Sequence, residues 1–436
     1  METQRILFAN VPADGHFNPM TGIAMELKSQ GHDIRWYTSK MFGEKLKKLG
    51  IPHYPFKKAL EVNQFNINDV FPERKKLKAG VPQLKFDIKN FFVYRAPEYF
   101  EDISEIKQEF PFDVFVCDAT FTAGQLVRNK LNVPGVGIGI LPIMSTSRDL
   151  PPYGLGLTPG RSFISGIKNK FLRFVAKNLL FKESTSEYNK ILKRYNLPPE
   201  DVILFDIPVL WSDIFLQSGT HGFEYERTDM PEKLKFVGPL HAFRKVEQQD
   251  PIAIGFNYPW QDKLNKYKKN ILISQGTFEP DHAKLIVPAL EALKNEDCLL
   301  IVATGHHYTE ALRKKYNQVN IIIEDFIDFA FIMPRADLYI TNGGYGGTLI
   351  AIDHALPMVA AGINEGKNEI CARIGYFKMG INLNTEKPCP EKIKQAVNEV
   401  FSNPVYKQNV EKLRDEFRGY NTNKLSADLI FSVIRK

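Results

Sequence analysis

A glycine-rich segment between an apolar run and a helical pattern constrains the fold of this chain more than any other feature. Residues 341–349 read Thr-Asn-Gly-Gly-Tyr-Gly-Gly-Thr-Leu, so four of five positions in its centre are glycine. The apolar run Ala336–Ile340 predicts a buried strand before it, and the apolar spacing up to Pro357 predicts a helix after it. Uncovered backbone N–H groups at a helix N-terminus form a site for a phosphate or diphosphate. A turn that only lets the strand and the helix pack closely would use the same residues.

The same order of strand, loop and helix opens the chain. Arg5–Asn10 predicts a buried strand, a loop rich in helix-breaking residues follows, and a helix is predicted from Asn18 with Pro19 at its first position. Asp33–Thr38 predicts the next strand, and a second series of strands and helices begins at Asn270. Alternating strands and helices predict parallel sheets covered by helices on both faces. At 436 residues the chain is long enough for two such domains.

The composition is that of a globular protein and argues against several classes of protein. Hydrophobic residues make up 44% and charged residues 25%, and the formal net charge is +7. This mild surplus suits an anionic substrate or a weak membrane-surface contact, and it gives no case for nucleic-acid binding. We expect no signal peptide and no transmembrane segment, because no apolar run approaches the roughly 18 residues that a spanning helix needs. These observations predict a cytoplasmic protein.

The cysteines and histidines show no pattern typical of a metal site. The chain has four scattered cysteines: Cys117, Cys298, Cys371 and Cys389. Most of them lie in or beside apolar segments, which predicts reduced core residues. The adjacent pair His306-His307 has no carboxylate cluster beside it, and neighbouring side chains point apart. The sequence therefore predicts no metal.

A histidine and an aspartate follow two of the strands predicted in the first half. His16 lies in the loop after the first strand, and Asp118 ends the apolar run Asp113–Asp118. Open α/β sheets bind ligands at the carboxyl ends of their strands, so both residues can lie on one edge. An imidazole can act as a general base near neutral pH, and a carboxylate behind it would fix its tautomer. Because no Gly-x-Ser-x-Gly segment is present, the pair would activate a substrate hydroxyl. For His16 alone, a helix-capping role is the alternative.

Two further segments are candidates for ligand binding. Ser274-Gln275-Gly276-Thr277 ends the first strand of the second half, and its hydroxyl and N–H groups could contact a diphosphate from the opposite side. Aromatic residues in the irregular segment 86–94 and the loop 141–153 predict an apolar acceptor pocket, for which ordinary core packing is the alternative. Residues 150–160 form a breaker-rich loop, and long loops of this kind are often functional. The candidate lining residues are Phe17, Phe86, Phe92, Leu141, Met144 and Tyr153.

Four motifs together resemble the family-1 nucleotide-sugar glycosyltransferases. They occur in the order of that family: Gly15-His16-Phe17-Asn18-Pro19, Phe236-Val237-Gly238-Pro239, Ser274-Gln275-Gly276-Thr277, and Asn342-Gly343-Gly344 through Pro357. The resemblance covers essentially the whole chain. The chain is similar to the bacterial macrolide- and flavonoid-type members, and its second half is also similar to the fungal ones. This resemblance implies an α/β protein of the GT-B fold, in which two Rossmann-like domains face a cleft and a C-terminal helix crosses back to the first domain.

The resemblance also implies a domain organisation and a reaction. Residues 1–242 would bind the acceptor, residues 243–415 would bind the nucleotide-sugar donor, and residues 416–436 would form the returning helix. The family inverts the configuration at the anomeric carbon. It uses no metal and no cofactor besides its co-substrate, a UDP- or dTDP-hexose.

Positions within the motifs assign roles to single residues. By resemblance, His16 matches the base, Asp118 matches its partner, and Phe326 and Ile327 match the pair that stacks on and hydrogen-bonds the nucleobase. The implied donor-binding residues are Ser274, Gly276, Thr277, Phe326, Ile327, Asn342, Gly343, Gly344, Gly346, Gly347, Thr348, Glu365 and Lys367.

Three departures from the family pattern bear on the donor. Asn342 stands where the family has a histidine, and an amide cannot be charged. Ile350 stands where a glutamate holds the ribose hydroxyls, and Gly366-Lys367 stands where an acid–glutamine pair reads the sugar hydroxyls. The fold and the reaction are therefore better specified than the donor, and a 6-deoxyhexose such as rhamnose is compatible with these changes.

The sequence as a whole predicts an enzyme. It would transfer a hexosyl or 6-deoxyhexosyl group from a UDP- or dTDP-sugar to a hydroxyl of an apolar, aromatic acceptor of flavonoid, polyphenol or polyketide type. A nucleotide-sugar-binding protein without transferase activity is one alternative, and His16 with Asp118 argues against it. A nucleotide-sugar epimerase is another, and the aromatic-rich residues 56–99 argue against that. A nicotinamide dehydrogenase is disfavoured because no Gly-x-Gly-x-x-Gly segment follows the first strand.

Overall fold

The protein folds into two α/β units, each built on a fully parallel sheet. The structure is a computed structural model, and it describes residues 2–63, 65–78, 80–160, 162–244, 258–276 and 279–434. The first unit comprises Met1–Tyr153, Pro159–Phe243 and Tyr420–Lys436, and the second comprises Gly154–Thr158 and Arg244–Gly419. The binding of acceptor by the first and donor by the second stays a prediction.

The strands of the first unit form a seven-stranded sheet in the order β3-β2-β1-β4-β5-β6-β7. Their bounds are β1 Arg5–Ala9, β2 Asp33–Thr38, β3 His53–Pro55, β4 Val114–Asp118, β5 Gly135–Gly139, β6 Ile214–Ser218 and β7 Leu234–Gly238. The strands of the second unit form a six-stranded sheet in the order β10-β9-β8-β11-β12-β13. Their bounds are β8 Asn270–Ser274, β9 Leu299–Ala303, β10 Ile321–Glu324, β11 Leu338–Thr341, β12 Met358–Ala360 and β13 Gly380–Asn382.

Helices connect the strands in both units, as the alternating pattern predicts. In the first unit they are α1 Asp14–Ser29, α2 Gly43–Leu49, α3 Ile67–Val70, α4 Val81–Asp87, α5 Ala96–Glu109, α6 Gly124–Leu131, α7 Phe163–Val175, α8 Lys182–Arg194 and α9 Ile207–Trp211. In the second unit they are α10 Ile286–Leu293, α11 Thr309–Lys315, α12 Phe329–Ile332, α13 Tyr345–Asp353, α14 Lys367–Tyr376, α15 Pro390–Ser402 and α16 Val405–Arg418. The last helix, α17 Thr422–Ile434, belongs to the first unit. None of the helices in the described ranges is long and apolar enough to cross a membrane.

Both faces of the first sheet are buried. Along β1, Ile6 and Phe8 belong to one apolar cluster while Leu7 and Ala9 belong to another, because successive side chains of a strand point to opposite faces. A parallel sheet is covered by helices on both faces, so its strands read as continuous apolar runs. This explains why β1 and β4 were recognisable in the sequence without any polar alternation.

The last helix closes the first unit over its first helix. Helix α17 packs on α1 and on β6 and β7. The close approach depends on Gly22, because a Cβ atom at this position would lie 2.5 Å from the Oδ1 atom of Asn423. The C-terminal helix therefore returns to the first unit, as the resemblance implied.

The start of α1 differs from the prediction. The helix begins at Asp14 instead of Asn18, and Pro19 lies inside it. The N–H groups of His16 and Phe17 both donate to the carbonyl oxygen of Ala13, at 3.0 and 3.1 Å. A proline in the second turn removes one helical hydrogen bond, and the turn before it still forms. The breaker residues therefore do not make a loop here, and His16 lies in the first turn of a helix.

Other elements agree with the prediction more closely. Strand β11 and helix α13 flank the glycine segment as predicted. The second sheet ends in β13, which the sequence analysis did not identify. Cys117, Cys298 and Cys371 are buried, Cys389 is exposed, and all four are free thiols, which confirms the prediction of reduced and mostly core cysteines.

Candidate active site

The first candidate site pairs His16 with Asp118. Strands β1 and β4 are neighbours in register, so the chain segments that leave their carboxyl ends lie side by side. His16 stands in the first turn after β1, and Asp118 is the last residue of β4. The Nδ1 atom of His16 lies 3.0 Å from the Oδ1 atom of Asp118. The structure therefore brings together two residues that are 102 positions apart in the sequence.

The carboxylate of Asp118 is buried and held by several donors. Its side chain is 0% exposed. The Oδ2 atom accepts the N–H of Val11 at 2.9 Å, and Oδ1 accepts the N–H and the hydroxyl of Thr120 at 2.8 and 2.5 Å. Both oxygens of this buried carboxylate thus have hydrogen-bond donors, which offset the cost of removing it from water. Thr120 was not predicted, although an Asp side chain that accepts the N–H two residues later is a common turn.

These contacts orient the imidazole of His16. With an ionised Asp118 as its partner, Nδ1 carries the proton and donates it, and the network thereby assigns the tautomer. The Nε2 atom is then an acceptor with a free lone pair. The His16 side chain is 18% exposed, so the ring is packed but not sealed from solvent. An oriented neutral imidazole of this kind can accept a proton from a hydroxyl group.

The second candidate site is the glycine turn between β11 and α13. Gly344 is the N-cap of α13, and the first described hydrogen bond into the helix joins the N–H of Thr348 to the carbonyl of Gly344 at 3.0 Å. The N–H groups of Gly346 and Gly347 therefore have no acceptor within the helix. A Cβ atom on Gly346 would meet nothing within 4 Å, so this part of the turn is open. An open helix start without side chains is suited to bind a diphosphate.

The other side of the turn is closed. Gly343 has a φ angle of +84°, and a Cβ atom on it would lie 2.5 Å from the Sγ atom of Cys371 and 3.2 Å from the carbonyl oxygen of Lys367. Burial raises the pKa of Cys371 to about 12, so its thiol remains neutral and apolar. Gly343 is thus required both by backbone conformation and by space.

Asn342 ties the turn to the neighbouring strand. Its Nδ2 atom donates to the carbonyl oxygen of Gln275, which follows β8. Ser274 accepts the N–H of Gly276 at 3.2 Å, and Gly276 has a φ angle of +75°. Asn342 and Ser274 are buried, while Gly276 is exposed. Thr277, the remaining predicted residue of this segment, lies outside the described residues.

Two positions in α13 that were predicted to contact the donor, Gly347 and Thr348, do not face the open side of the turn. Thr348 is 0% exposed, and its hydroxyl donates to the carbonyl oxygen of Gly344 at 2.9 Å. A Cβ atom on Gly347 would lie 3.1 Å from the hydroxyl of Tyr339. Thr348 therefore stabilises the first turn from inside the unit, because the helix points this position toward the core.

The remaining donor candidates lie on separate elements of the second unit. Phe326 is 49% exposed and meets the ring of His306 edge-on, with centroids 4.1 Å apart, while Ile327 is buried. Lys367 is the first residue of α14, and its Nζ atom pairs with the Oε2 atom of Glu365 at 2.7 Å. Glu365 and Gly366 both have positive φ angles, so the chain turns sharply before α14. Their roles toward a donor stay predictions.

The acceptor candidates divide into two groups and one exception. Leu141 and Met144 line a small cavity of about 10 Å³, and Tyr153 packs edge-on against Phe205, another lining residue. Phe86 and Phe92 are half-buried and pack in other aromatic contacts, with Phe71 and Phe91 respectively. They are absent from the lining of that cavity. The cavity has room for about one water molecule.

Phe17 is the exception, because it is a core residue. Its side chain is 1% exposed and stacks on Phe42, with ring centroids 4.3 Å apart. It also packs on Trp36, at 4.8 Å between centroids. The helix that starts at Asp14 turns Phe17 toward the sheet, whereas the expected loop would have left its direction open. Phe17 is therefore not available to line an acceptor site.

A buried ion pair that the sequence analysis missed anchors the breaker-rich loop. The Oε1 atom of Glu369 accepts the N–H groups of Gly154 and Gly156, both at 2.8 Å. Arg373 donates to the Oε2 atom of Glu369 at 3.1 Å, one helical turn away on α14. The i, i+4 spacing of Glu369 and Arg373 was a visible signal. Their loop partners were not visible, because these lie more than 200 positions away in the sequence.

Comparisons with known proteins identify the family of this chain. Residues 330–418, which include the glycine turn, match the family model described as UDP-glucoronosyl and UDP-glucosyl transferase. The chain is 30% identical over 431 residues to 4'-demethylrebeccamycin synthase of Lentzea aerocolonigenes, covering 99% of each chain. It is 25% identical to UDP-glucosyltransferase A1 of Starmerella bombicola, over 98% of this chain and 91% of that protein.

Solved structures show the same fold at low sequence identity. The glycotransferase of kitacinnamycin superposes with a TM-score of 0.75 at 17% identity, covering 99% of each chain. A calicheamicin glycosyltransferase superposes with a TM-score of 0.73 at 19% identity, covering 100% of this chain and 99% of that one. Because a relative shares 30% identity over nearly the whole length, the chain belongs to the family-1 glycosyltransferases of the GT-B fold, which use a nucleotide sugar as co-substrate.

Proposed function

We propose that this glycosyltransferase is an inverting, metal-independent enzyme that uses a UDP- or dTDP-sugar. The group transferred would be a hexosyl or 6-deoxyhexosyl group, and the acceptor would be a hydroxyl of an apolar, aromatic compound of flavonoid, polyphenol or polyketide type. The observation that carries the proposal is the hydrogen bond of 3.0 Å between His16 and the fully buried Asp118.

The proposed reaction is a single displacement. The Nε2 atom of His16 takes the proton of the acceptor hydroxyl, and the oxygen forms a bond to the anomeric carbon. The bond between that carbon and the diphosphate oxygen breaks, and its electron pair leaves with the diphosphate. Asp118 stabilises the imidazolium that forms. The N–H group of Gly346, which has no acceptor within the helix and lies on the open side of the turn, stabilises the charge that develops on the diphosphate.

Opposing considerations bear on the nucleotide of the donor. Ile350 cannot accept a hydrogen bond from a ribose hydroxyl, which favours a 2′-deoxyribose. A spinosyn rhamnosyltransferase with the same fold has been solved in complex with thymidine diphosphate. Several relatives are named UDP-glucosyltransferases. We therefore expect both nucleotides to serve, with dTDP-sugars used at least as efficiently.

The acceptor class rests on apolar side chains in the first unit. Leu141, Met144 and Phe205 line the cavity beside β5, and Ala119 follows Asp118 directly into the same lining. Ala119, the residue that follows Asp118, is thus part of an apolar wall. The relative with 30% identity is named for the synthesis of 4'-demethylrebeccamycin.

The direct test is an incubation of the enzyme with UDP- and dTDP-sugars and a mixed panel of phenols, followed by mass spectrometry. We expect a mass gain of one hexosyl or deoxyhexosyl group on at least one phenol. The His221→Ala variant is a suitable control, because this exposed histidine packs against the ring of Phe236 at a tilt of 53° and has no described contact with the His16–Asp118 pair or the glycine turn. Donor binding without product on every acceptor would identify a binding protein instead, and epimerised donor without transfer would identify an epimerase.

A second measurement tests the acceptor wall. Met144→Ala should change the preference among phenols, because the side chain is half-buried at the cavity. Phe17→Ala should instead lower the free energy of unfolding by about 3–5 kcal/mol, the usual cost of truncating a buried phenylalanine. An unchanged preference combined with a large loss of stability in Met144→Ala would remove Met144 from the acceptor site.

A further inference from the structure

Helix α7 exposes a continuous apolar stripe to solvent. Ile164, Ile167, Phe171 and Phe174 are 76%, 58%, 64% and 63% exposed. Their spacing of three, four and three residues places them on one face of the helix. Leu179, in the π-helical turn Ala176–Leu180 that continues α7, is 66% exposed. Isolated exposed apolar residues are ordinary, but a contiguous row on one helix marks an interaction surface.

Helix α7 turns its apolar face to solvent, whereas a helix that packs on a globular core buries this face. The buried residues on the opposite side are Asn169 and Ala176. Asn169 donates to the carbonyl oxygen of Asp149 at 3.2 Å, and Arg173 donates to that of Leu150 at 3.0 Å. The helix is therefore fixed to the unit by these polar contacts and by the core residue Ala176 that follows it, while its isoleucines and phenylalanines face outward. A helix that served only the fold would bury that apolar face.

The apolar stripe is surrounded by positive charge. From Ser162 to Lys182 the sequence contains no acidic residue. Lys168 and Lys170 are exposed and lie on opposite sides of the stripe by the 3.6-residue repeat. Neither of them has an ion pair among the residues that the structure describes.

Two acidic residues that contact or follow the basic residues of this region have ion-pair partners. Asp201 pairs with Lys177 at 2.9 Å, and Glu183 pairs with Lys89 at 2.7 Å. Lys85 of α4 donates to the carbonyl oxygen of Leu179 at 3.3 Å, which adds a further cation beside the stripe. The face as a whole thus combines an apolar centre with cationic flanks.

We propose that this face of α7 docks onto the surface of an anionic lipid bilayer. Phenylalanine and isoleucine side chains would enter the boundary between headgroups and acyl chains, and Lys168 and Lys170 would contact lipid phosphates. A second copy of the chain fits less well, because a symmetric contact would bring the same lysines against each other. The proposal does not depend on the reaction that the enzyme catalyses.

Vesicle sedimentation of the full chain tests the proposal. The vesicles contain equal parts of phosphatidylglycerol and phosphatidylcholine, and vesicles of phosphatidylcholine alone serve as the reference. We expect partitioning onto the anionic vesicles to be about tenfold higher or more at low salt, and to weaken as salt is raised. Phe171→Gln/Phe174→Gln should reduce partitioning about tenfold or more by removing the inserted rings, and Lys168→Gln/Lys170→Gln should also reduce it and flatten the salt dependence.

The matched control is Phe65→Gln/Val319→Gln, which removes two apolar side chains that are 62% and 76% exposed outside the stripe. It should partition like the unmodified chain. Equal partitioning of all variants, or no difference between the two vesicle types, would overturn the proposal. So would loss of a dimer in Phe171→Gln/Phe174→Gln by light scattering, which would assign the face to a second copy. A raised KM for the acceptor without vesicles, at unchanged vesicle binding, would assign it to the acceptor.

Discussion

The two units place different chemical groups at the same architectural position. In the first unit the turn from β1 into α1 is tied to the end of β4, through the contact of His16 with Asp118. In the second unit the turn from β11 into α13 is tied to the end of β8, through the contact of Asn342 with the carbonyl of Gln275. Both contacts therefore join the carboxyl ends of two adjacent parallel strands.

The difference lies in what each contact leaves available. The pair in the first unit leaves an imidazole nitrogen that can accept a proton. The pair in the second unit leaves no titratable atom, and the available groups there are backbone N–H groups of glycines. A site that depends on a side chain should lose activity when that functional group is removed. A site that depends on backbone N–H groups should instead lose stability or ligand affinity when side-chain atoms are added to its glycines. The following predictions test this contrast, from the largest expected effect to the smallest.

His16→Ala should have the largest effect. We expect kcat to fall roughly 10²- to 10⁴-fold, the usual range for loss of a general base, while the KM for the donor changes little. Steady-state kinetics with an unactivated alcohol as acceptor measures this. His221→Ala is the control and should keep its activity. Near-normal turnover of His16→Ala would show that activity does not depend on the His16 side chain, which would contradict the contrast between the two sites.

Asp118→Asn should have the next largest effect on kcat. The amide can donate toward Nδ1 of His16, which favours the wrong tautomer, and it cannot stabilise the imidazolium, so we expect a loss of roughly 10- to 1,000-fold. The measurement is the pH dependence of kcat with an aliphatic acceptor. Asp102→Asn alters another buried carboxylate of the same unit, one that accepts the hydroxyl of Tyr37 at 2.8 Å. This control should lower stability and leave the shape of the pH profile unchanged, and an unaltered profile in Asp118→Asn would make Asp118 structural.

Gly343→Ala tests the backbone site. The methyl group would collide with the Sγ atom of Cys371 at a φ angle of +84°, so we expect the free energy of unfolding to fall by about 2 kcal/mol or more. Thermal or denaturant unfolding measures it. Adding Cys371→Ala should recover part of the loss, because it removes the sulfur but not the backbone strain.

Gly346→Ala is the matched variant on the open side of the same turn. An added methyl meets no atom within 4 Å and replaces glycine within a helix, so stability should be unchanged or rise by about 0.5–1 kcal/mol. The KM for the donor should nevertheless rise, because the methyl would stand where the diphosphate approaches the N–H groups. If the donor KM is unaffected, the glycine turn serves packing alone.

The smallest effect concerns the nucleotide. Ile350 offers no acceptor for a ribose hydroxyl, so kcat/KM for dTDP-glucose should equal or exceed that for UDP-glucose with one acceptor. Ile350→Glu should shift the preference toward the UDP-sugar by up to about tenfold, or 1.4 kcal/mol. A tenfold preference of the unmodified enzyme for UDP-glucose would show that another group, such as Glu365, already accepts a hydrogen bond from a ribose hydroxyl.

Local sequence pattern was sufficient for the strands of both sites and for the glycine turn. Continuous apolar runs predicted β1, β4 and β11, and glycines beside such a run predicted the turn into α13, because both signals depend on neighbouring residues only. The start of α1 was wrong because Pro19 suits a first helical position by local preference, whereas the carbonyl of Ala13 starts the helix earlier.

Side-chain directions could not be predicted in the same way. Whether Phe17 and Thr348 face a ligand or the core depends on which face of a helix packs on the sheet, and that is decided by tertiary contacts. Thr120 and Cys371 support the two sites through contacts that a single sequence does not reveal. The roles of the candidate residues toward substrates stay predictions, since geometry places these residues but no ligand tests them.

The return of α17 onto α1 has a consequence for how the protein is made. Gly22 and Asn423 are in close approach, although about 400 residues of chain separate them. During synthesis α1 therefore lacks this covering helix until the roughly 400 residues that separate them have been made, and its apolar face is exposed in the meantime. Closing so long a loop is slow, and the exposed face is prone to aggregation meanwhile. The helix that carries His16 is thus synthesised long before the contact that covers it can form.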